Sequence, residues 1–134
     1  MKTTTKLTAT LFTTILSVFI FMGITVFASG TLLTYQGWGI RGKESVQNFT
    51  INSDTYVTLT HTNSNFAYNG YGEDVMVITY QKKGFWWSNT EYSVTTRGNG
   101  STTYSTTLPR GTYRLYFNTI YQGATADISG NVIN

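Results

Sequence analysis

The 134-residue sequence has no cysteine, one proline and one histidine, and only 11% of its residues are charged. Soluble domains usually carry about 25% charged residues. Each shortage closes off some chemistry. Without cysteine there is no disulfide framework, no thiolate nucleophile and no zinc site of the Cys/His type. His61 alone would have to serve any Ser–His–Asp arrangement, and no Gly-x-Ser-x-Gly turn is present to carry the nucleophile. The acids after residue 28 are Glu44, Asp54, Glu73, Asp74, Glu91 and Asp127. Most fall at turns or strand edges, where a solvated carboxylate belongs, rather than as a pair set for glycoside hydrolysis. The sequence therefore reads as a non-enzyme, with His61 at a strand end beside a turn.

Long apolar runs are missing too, with one exception. Residues 7–28 hold Leu11, Phe12, Ile15, Leu16, Val18, Phe19, Ile20, Phe21, Met22, Ile24, Val26 and Phe27, and Lys2 and Lys6 precede them. A basic start, an apolar run and a small-residue end form a secretory signal, here an N-terminal signal helix over residues 1–28 cut after Ala28. An uncleaved span is the competing expectation, since a run of about 20 residues can cross a bilayer. Threonines 8, 10, 13 and 14 dilute its first half, and no basic cluster follows it. Either way the remainder is secreted, to the extracellular space or the cell surface, and the lack of cysteine suits a bacterial host. Cleavage takes 28 residues from 134 and leaves 106; 9 basic groups less 2, against 6 acidic, leave a charge near +1. The overall basic balance thus belongs largely to the export signal, which argues against a nucleic-acid partner.

Residues 29–134 are expected to form a single domain. No helical period appears there. Period-two patterns rich in Thr, Tyr, Val and Ile recur instead, broken by Gly, Asn and Ser. They predict about eight strands, over 32–40, 46–52, 56–62, 75–81, 91–95, 103–108, 112–118 and 124–132. Short strands with such punctuation fit an all-β, antiparallel β-sandwich of jelly-roll type. Alternation predicts the buried rows: Phe49 with Ile51; Val57 with Leu59; Tyr104, Thr106 and Leu108; Tyr113, Leu115 and Phe117; Ala126, Ile128 and Val132. Val75-Met76-Val77-Ile78 is apolar on both faces and predicts a strand inside a sheet.

The run over residues 105–117, Ser-Thr-Thr-Leu-Pro-Arg-Gly-Thr-Tyr-Arg-Leu-Tyr-Phe, resembles the penultimate hairpin of secreted bacterial jelly-roll accessory modules. These are the peptidase C-terminal and carbohydrate-binding kinds. In them a Leu-Pro-x-Gly-Thr-Tyr turn leads into a core strand. The resemblance implies a jelly-roll fold and an exported protein, and says little about the ligand.

Aromatic residues, at 16% of the chain, are what the sequence has in plenty. Phe85-Trp86-Trp87 follows the turn Lys82-Lys83-Gly84. Neighbours on a strand face opposite ways, so either Trp86 or the pair Phe85 and Trp87 is expected outside the core. Trp38 sits between two glycines, and Tyr68 and Tyr71 lie in an Asn/Gly-rich stretch. Flat rings beside amides and hydroxyls suit sugars, whose C–H faces stack while their edges hydrogen-bond. The candidate ligand-binding residues are therefore Trp38, Tyr68, Tyr71, Lys82, Lys83, Trp86 and Trp87, and the expected partner is a polysaccharide or cell-wall polymer. The same rings suit a membrane interface, so a small antibacterial or membrane-active effector is the alternative. An inhibitor or immunity protein docking on another secreted protein is a third reading. No cofactor is expected beyond a structural calcium ion. The stretch 63–74 offers Asn65, Asn69, Glu73 and Asp74 as hard oxygen ligands for it, with Asn63 nearby.

Overall fold

A computed structural model describes residues 30–67, 74–120 and 123–134. The expected signal helix lies outside the described residues, as do Tyr68, Asn69, Tyr71 and Glu73 of the candidate sites. The described chain is all-β, with nine strands: β1 (Thr31–Ile40), β2 (Gly42–Glu44), β3 (Phe49–Ile51), β4 (Thr55–Ala67), β5 (Val75–Lys83), β6 (Trp87–Arg97), β7 (Gly100–Leu108), β8 (Gly111–Thr119) and β9 (Thr125–Ile133). They form two antiparallel sheets, one in the order β1-β9-β4-β7 and the other in the order β2-β8-β5-β6, with β3 also paired to β8. β5 lies inside its sheet, as its doubly apolar start predicts.

The predicted buried rows meet in one core shared by both sheets, except that Tyr104 and Thr106 of the third row are only half-buried. Leu33, Val57, Leu59, Leu108, Ala126, Ile128 and Val132 come from the first sheet. Phe49, Ile51, Met76, Ile78, Tyr80, Tyr113, Leu115 and Phe117 come from the second. Among the described residues, the buried core runs from Leu33 to Val132. Burying the larger of these side chains contributes about 1.5–3 kcal/mol each.

Several sequence expectations need correction. β4 runs on to Ala67, so residues 63–67 are strand rather than loop, and β6 starts at Trp87, four residues ahead of the expected Glu91. The three-residue strand β2 occupies what reads as a turn at Arg41-Gly42-Lys43. The run 105–117 is not a hairpin: β7 pairs with β4 and β8 with β5, so Pro109-Arg110 carries the chain from one sheet to the other. Within that turn, the Tyr113 hydroxyl donates to the Pro109 carbonyl at 2.6 Å.

Register sorts the connections into two ends. The start of β1, the end of β9, the β3–β4 connection, the β5–β6 turn and the Pro109-Arg110 turn share one end. The β1–β2, β4–β5, β6–β7 and β8–β9 connections share the other.

One glycine is required by packing. Gly130 of β9 pairs with Tyr35 on one side and His61 on the other. A side chain at Gly130 would meet the Thr60 carbonyl and the Tyr35 ring and hydroxyl. The bare backbone lets Tyr35 reach across β9 and place its hydroxyl 2.7 Å from His61 Nδ1.

Candidate functional site

The expected aromatic platform is divided between two places. Trp38 lies where β1 shifts register against β9, between Gly37 and Ile40. The irregularity is a bulge with Gly39 in the left-handed region, at φ 59°, where a glycine has no steric penalty. Facing it across β9, β4 has its own register shift between Ser64 and Ala67, with Asn65 at φ 49°. Asp127 on β9 ties the two bulges together. Its Oδ1 accepts from the Gly39 N–H at 2.9 Å and its Oδ2 from the Asn65 amide at 2.8 Å. These bonds, that from Asn65 first, hold the Asp127 carboxyl below its ordinary pKa. The clamped bulge turns Trp38 outward, leaving it 72% exposed.

Trp38 lines a groove of about 370 Å³, at the small end of the range for small-ligand sites. Ile40, Phe117 and Ile128 line its apolar part, and Gln36 stands beside Trp38. Residues 43–47 form the opposite rim. That rim exists because β2 and β3 pair with the same strand out of step. Glu44 faces Tyr116 and Phe49 faces Tyr113, so five steps of chain span three on β8. The surplus bows out. It is pinned by the Ser45 N–H donating to the Leu115 carbonyl at 2.7 Å and the Leu115 N–H donating to Ser45 Oγ at 3.1 Å. Lys43, Glu44 and Gln47 present polar groups along the bow, and Val46 is almost fully exposed.

Lys82, Lys83, Trp86 and Trp87 lie together, but at the β5–β6 turn, the opposite end from the Trp38 bulge. Lys82 and Lys83 are strand residues, paired with Ser88 and Trp87. The turn itself is Gly84-Phe85-Trp86, closed by the Gly84 N–H donating to the Trp86 carbonyl at 2.8 Å. Neither expected alternative for the three rings holds. Phe85 and Trp86 are both exposed, and Trp87 lies half-buried under the Arg114 guanidinium, 4.5 Å from its ring centre. The alternation of strand side chains does not apply to Phe85 and Trp86, because they are turn residues. Arg114 is itself held by Gln81 Oε1 at 2.8 Å and by Glu44 at 3.6 Å.

Of the candidate calcium ligands, Asn65 donates its amide to Asp127. Asp74 lies at the β4–β5 connection, where its backbone carbonyl accepts from the Gly98 N–H at 2.7 Å. Asn63 is buried and bonded to His61 and Thr96, which removes it from any loop cluster. Among the described residues no three His, Cys, Asp or Glu side chains gather as a metal site.

His61 is not at a strand end. It points into the core from the middle of β4 and is 1% exposed. Its partners fix its tautomer. Asn63 Oδ1, 2.7 Å from Nε2, can only accept, so Nε2 carries the proton and Nδ1 accepts from the Tyr35 hydroxyl. Asn63 Nδ2 donates to Thr96 Oγ1 at 2.7 Å, and Thr96 donates to the Met76 carbonyl at 3.3 Å. The Phe117 ring stacks on His61 from the opposite sheet. Each polar atom of this chain is satisfied internally and has no side open to a substrate, which suits a structural role.

Burial pushes the His61 pKa below its usual value of 6.5, although the Asn63 bond opposes the shift. Below about pH 6.5 the unfolded chain takes up a proton that the folded chain refuses. Stability is therefore full above that pH and is expected to fall as pH drops, by up to about 1.4 kcal/mol per unit until the folded pKa is reached. Urea unfolding between pH 8 and 5 measures it. A midpoint that does not fall in this window would contradict a neutral buried His61.

The sequence reading missed Asp127, Arg114 and the 43–47 rim. No protein-family model matches the chain, and no curated protein matches it in sequence.

Proposed function

We propose that the chain is an exported, non-enzymatic module that binds a cell-envelope or extracellular glycan, with Trp38 as its stacking face. The observation that carries this reading is the Trp38 groove. A large ring stands 72% exposed on a clamped bulge, beside an apolar wall with amide and charged groups along its rim. A sugar ring has matching chemistry: C–H groups on its face and hydroxyls around its edge. An exposed tryptophan costs solubility, and a bulge that forces one outward suits a binding face better than a packing role. Crossing between facing antiparallel sheets at most connections fits a jelly-roll order, which supports the implied kinship in fold with secreted accessory modules. Export rests on the sequence of residues 1–28.

Residues 29–134 are expected to be retained on at least one of insoluble peptidoglycan, chitin and cellulose, and released by soluble fragments of the same polymer. Passage through all three without delay would contradict the reading.

A further inference from the structure

We infer that the β5–β6 turn is a lipid-contact point that seats the domain on an anionic membrane surface. Phe85 and Trp86 are 90% and 74% exposed at the tip. They pack edge to face on each other, ring centres 4.7 Å apart, and project beyond Lys83 and Trp87, the last paired residues of the two strands. Paired aromatic rings at a narrow tip suit the headgroup depth of a bilayer, where apolar ring and polar edge are both satisfied.

The surroundings favour anionic lipid over another protein. Lys82 and Lys83 stand at the base of the turn, with Lys82 Nζ 5.8 Å from the Tyr113 ring centre. Arg110 lies in the adjoining turn of the same end. The acids there are Asp54, which accepts from the Arg110 N–H at 3.2 Å, and Glu91 on β6. Lys82, Lys83 and Arg110, with Arg114 over Trp87 and paired to Glu44, outnumber the acids around the rings. Cations near a surface of negative lipids add to the attraction.

β1 begins at this same end, with Thr31 paired to Ile133. Phe85 and Trp86 are not among the residues that line the Trp38 groove.

Cosedimentation with vesicles tests the inference, using both the full chain and residues 29–134. Binding of residues 29–134 is expected on mixed phosphatidylglycerol–phosphatidylcholine vesicles, weaker on phosphatidylcholine alone and reduced by salt. The double variant Phe85→Ser/Trp86→Ser is expected to lose about tenfold or more in affinity. Lys82→Gln and Lys83→Gln are each expected to lose roughly fivefold and to flatten the salt dependence. In both forms of the protein, a variant whose sole tryptophan is Trp86 (Trp38→Phe/Trp87→Phe) is expected to be quenched by brominated lipid. All these residues but Lys82 and Trp87, which are half-buried, are surface-exposed, and a thermal melt checks that each variant is folded. Equal binding to neutral and anionic vesicles, binding undiminished by Phe85→Ser/Trp86→Ser, or an unquenched Trp86 would each overturn it. So would self-association through the turn, lost in the double variant, with no vesicle binding.

Discussion

Gly130→Ala is expected to destabilise the fold by about 3 kcal/mol or more, lowering the melting temperature by roughly 10–20 °C, or to prevent folding. The cause is local. A methyl group at this position meets the Thr60 carbonyl on one side and the Tyr35 ring on the other. The first is backbone of the paired strand β4 and cannot yield without breaking the ladder. The second is pinned from above by Phe117, whose ring centre is 4.8 Å from that of Tyr35, and through its hydroxyl by His61. Ser129→Ala, one residue away and exposed, serves as the control and should change stability by less than about 0.5 kcal/mol. Tyr35→Phe should fall between the two. It removes the hydroxyl and leaves His61 Nδ1 unpaired, for about 1–3 kcal/mol. A Gly130→Ala protein melting within a few degrees of the parent would show that Tyr35 does not pack across β9.

Trp38→Ala is expected to weaken binding to whichever polymer retains the domain by about 2 kcal/mol, a factor of about 30, while leaving stability nearly unchanged. Trp38 is exposed, so its loss opens no core cavity. The stacking face goes with it. Asp127→Ala should reproduce part of the loss with the ring still present. Without the carboxylate, the Gly39 N–H and the Asn65 amide lose the partner that fixes the two bulges. Trp86→Ala, at the far end, should leave polymer binding as it was. Equal affinities for Trp38→Ala and the parent would place the ligand elsewhere.

The strands and their buried faces were legible because a sheet with one face in the core imposes a period of two on its residues. Phe49 with Ile51 and Tyr113 with Leu115 and Phe117 follow that rule, and both rows are buried. The irregular places were not legible, and the candidate sites lie there. The β4 bulge at Ser64-Asn65 interrupts alternation, so the strand reads as ending near Thr62 and His61 reads as a turn neighbour. The register shift opposite Thr79 and Gln81 does the same to β6 and hides the pairing of Trp87 with Lys83. β2 is short and exposed throughout, which leaves no hydrophobic pattern to find. Composition showed a surplus of rings, but grouping them required knowing which connections share an end. That follows from pairings between strands far apart in sequence, such as β1 with β9 and β8 with β5. Asp127 carried no signal, since its role depends on a glycine 88 positions away.

The protein's three tryptophans allow the central claim to be read directly, from their indole N–H signals during titration of folded residues 29–134 with soluble fragments of the retaining polymer. Glycan binding at the groove predicts a saturable shift of the Trp38 signal, with that of Trp86 unmoved. Shifts confined to Trp86 or Trp87, or no shift of Trp38 at saturating fragment, would contradict it.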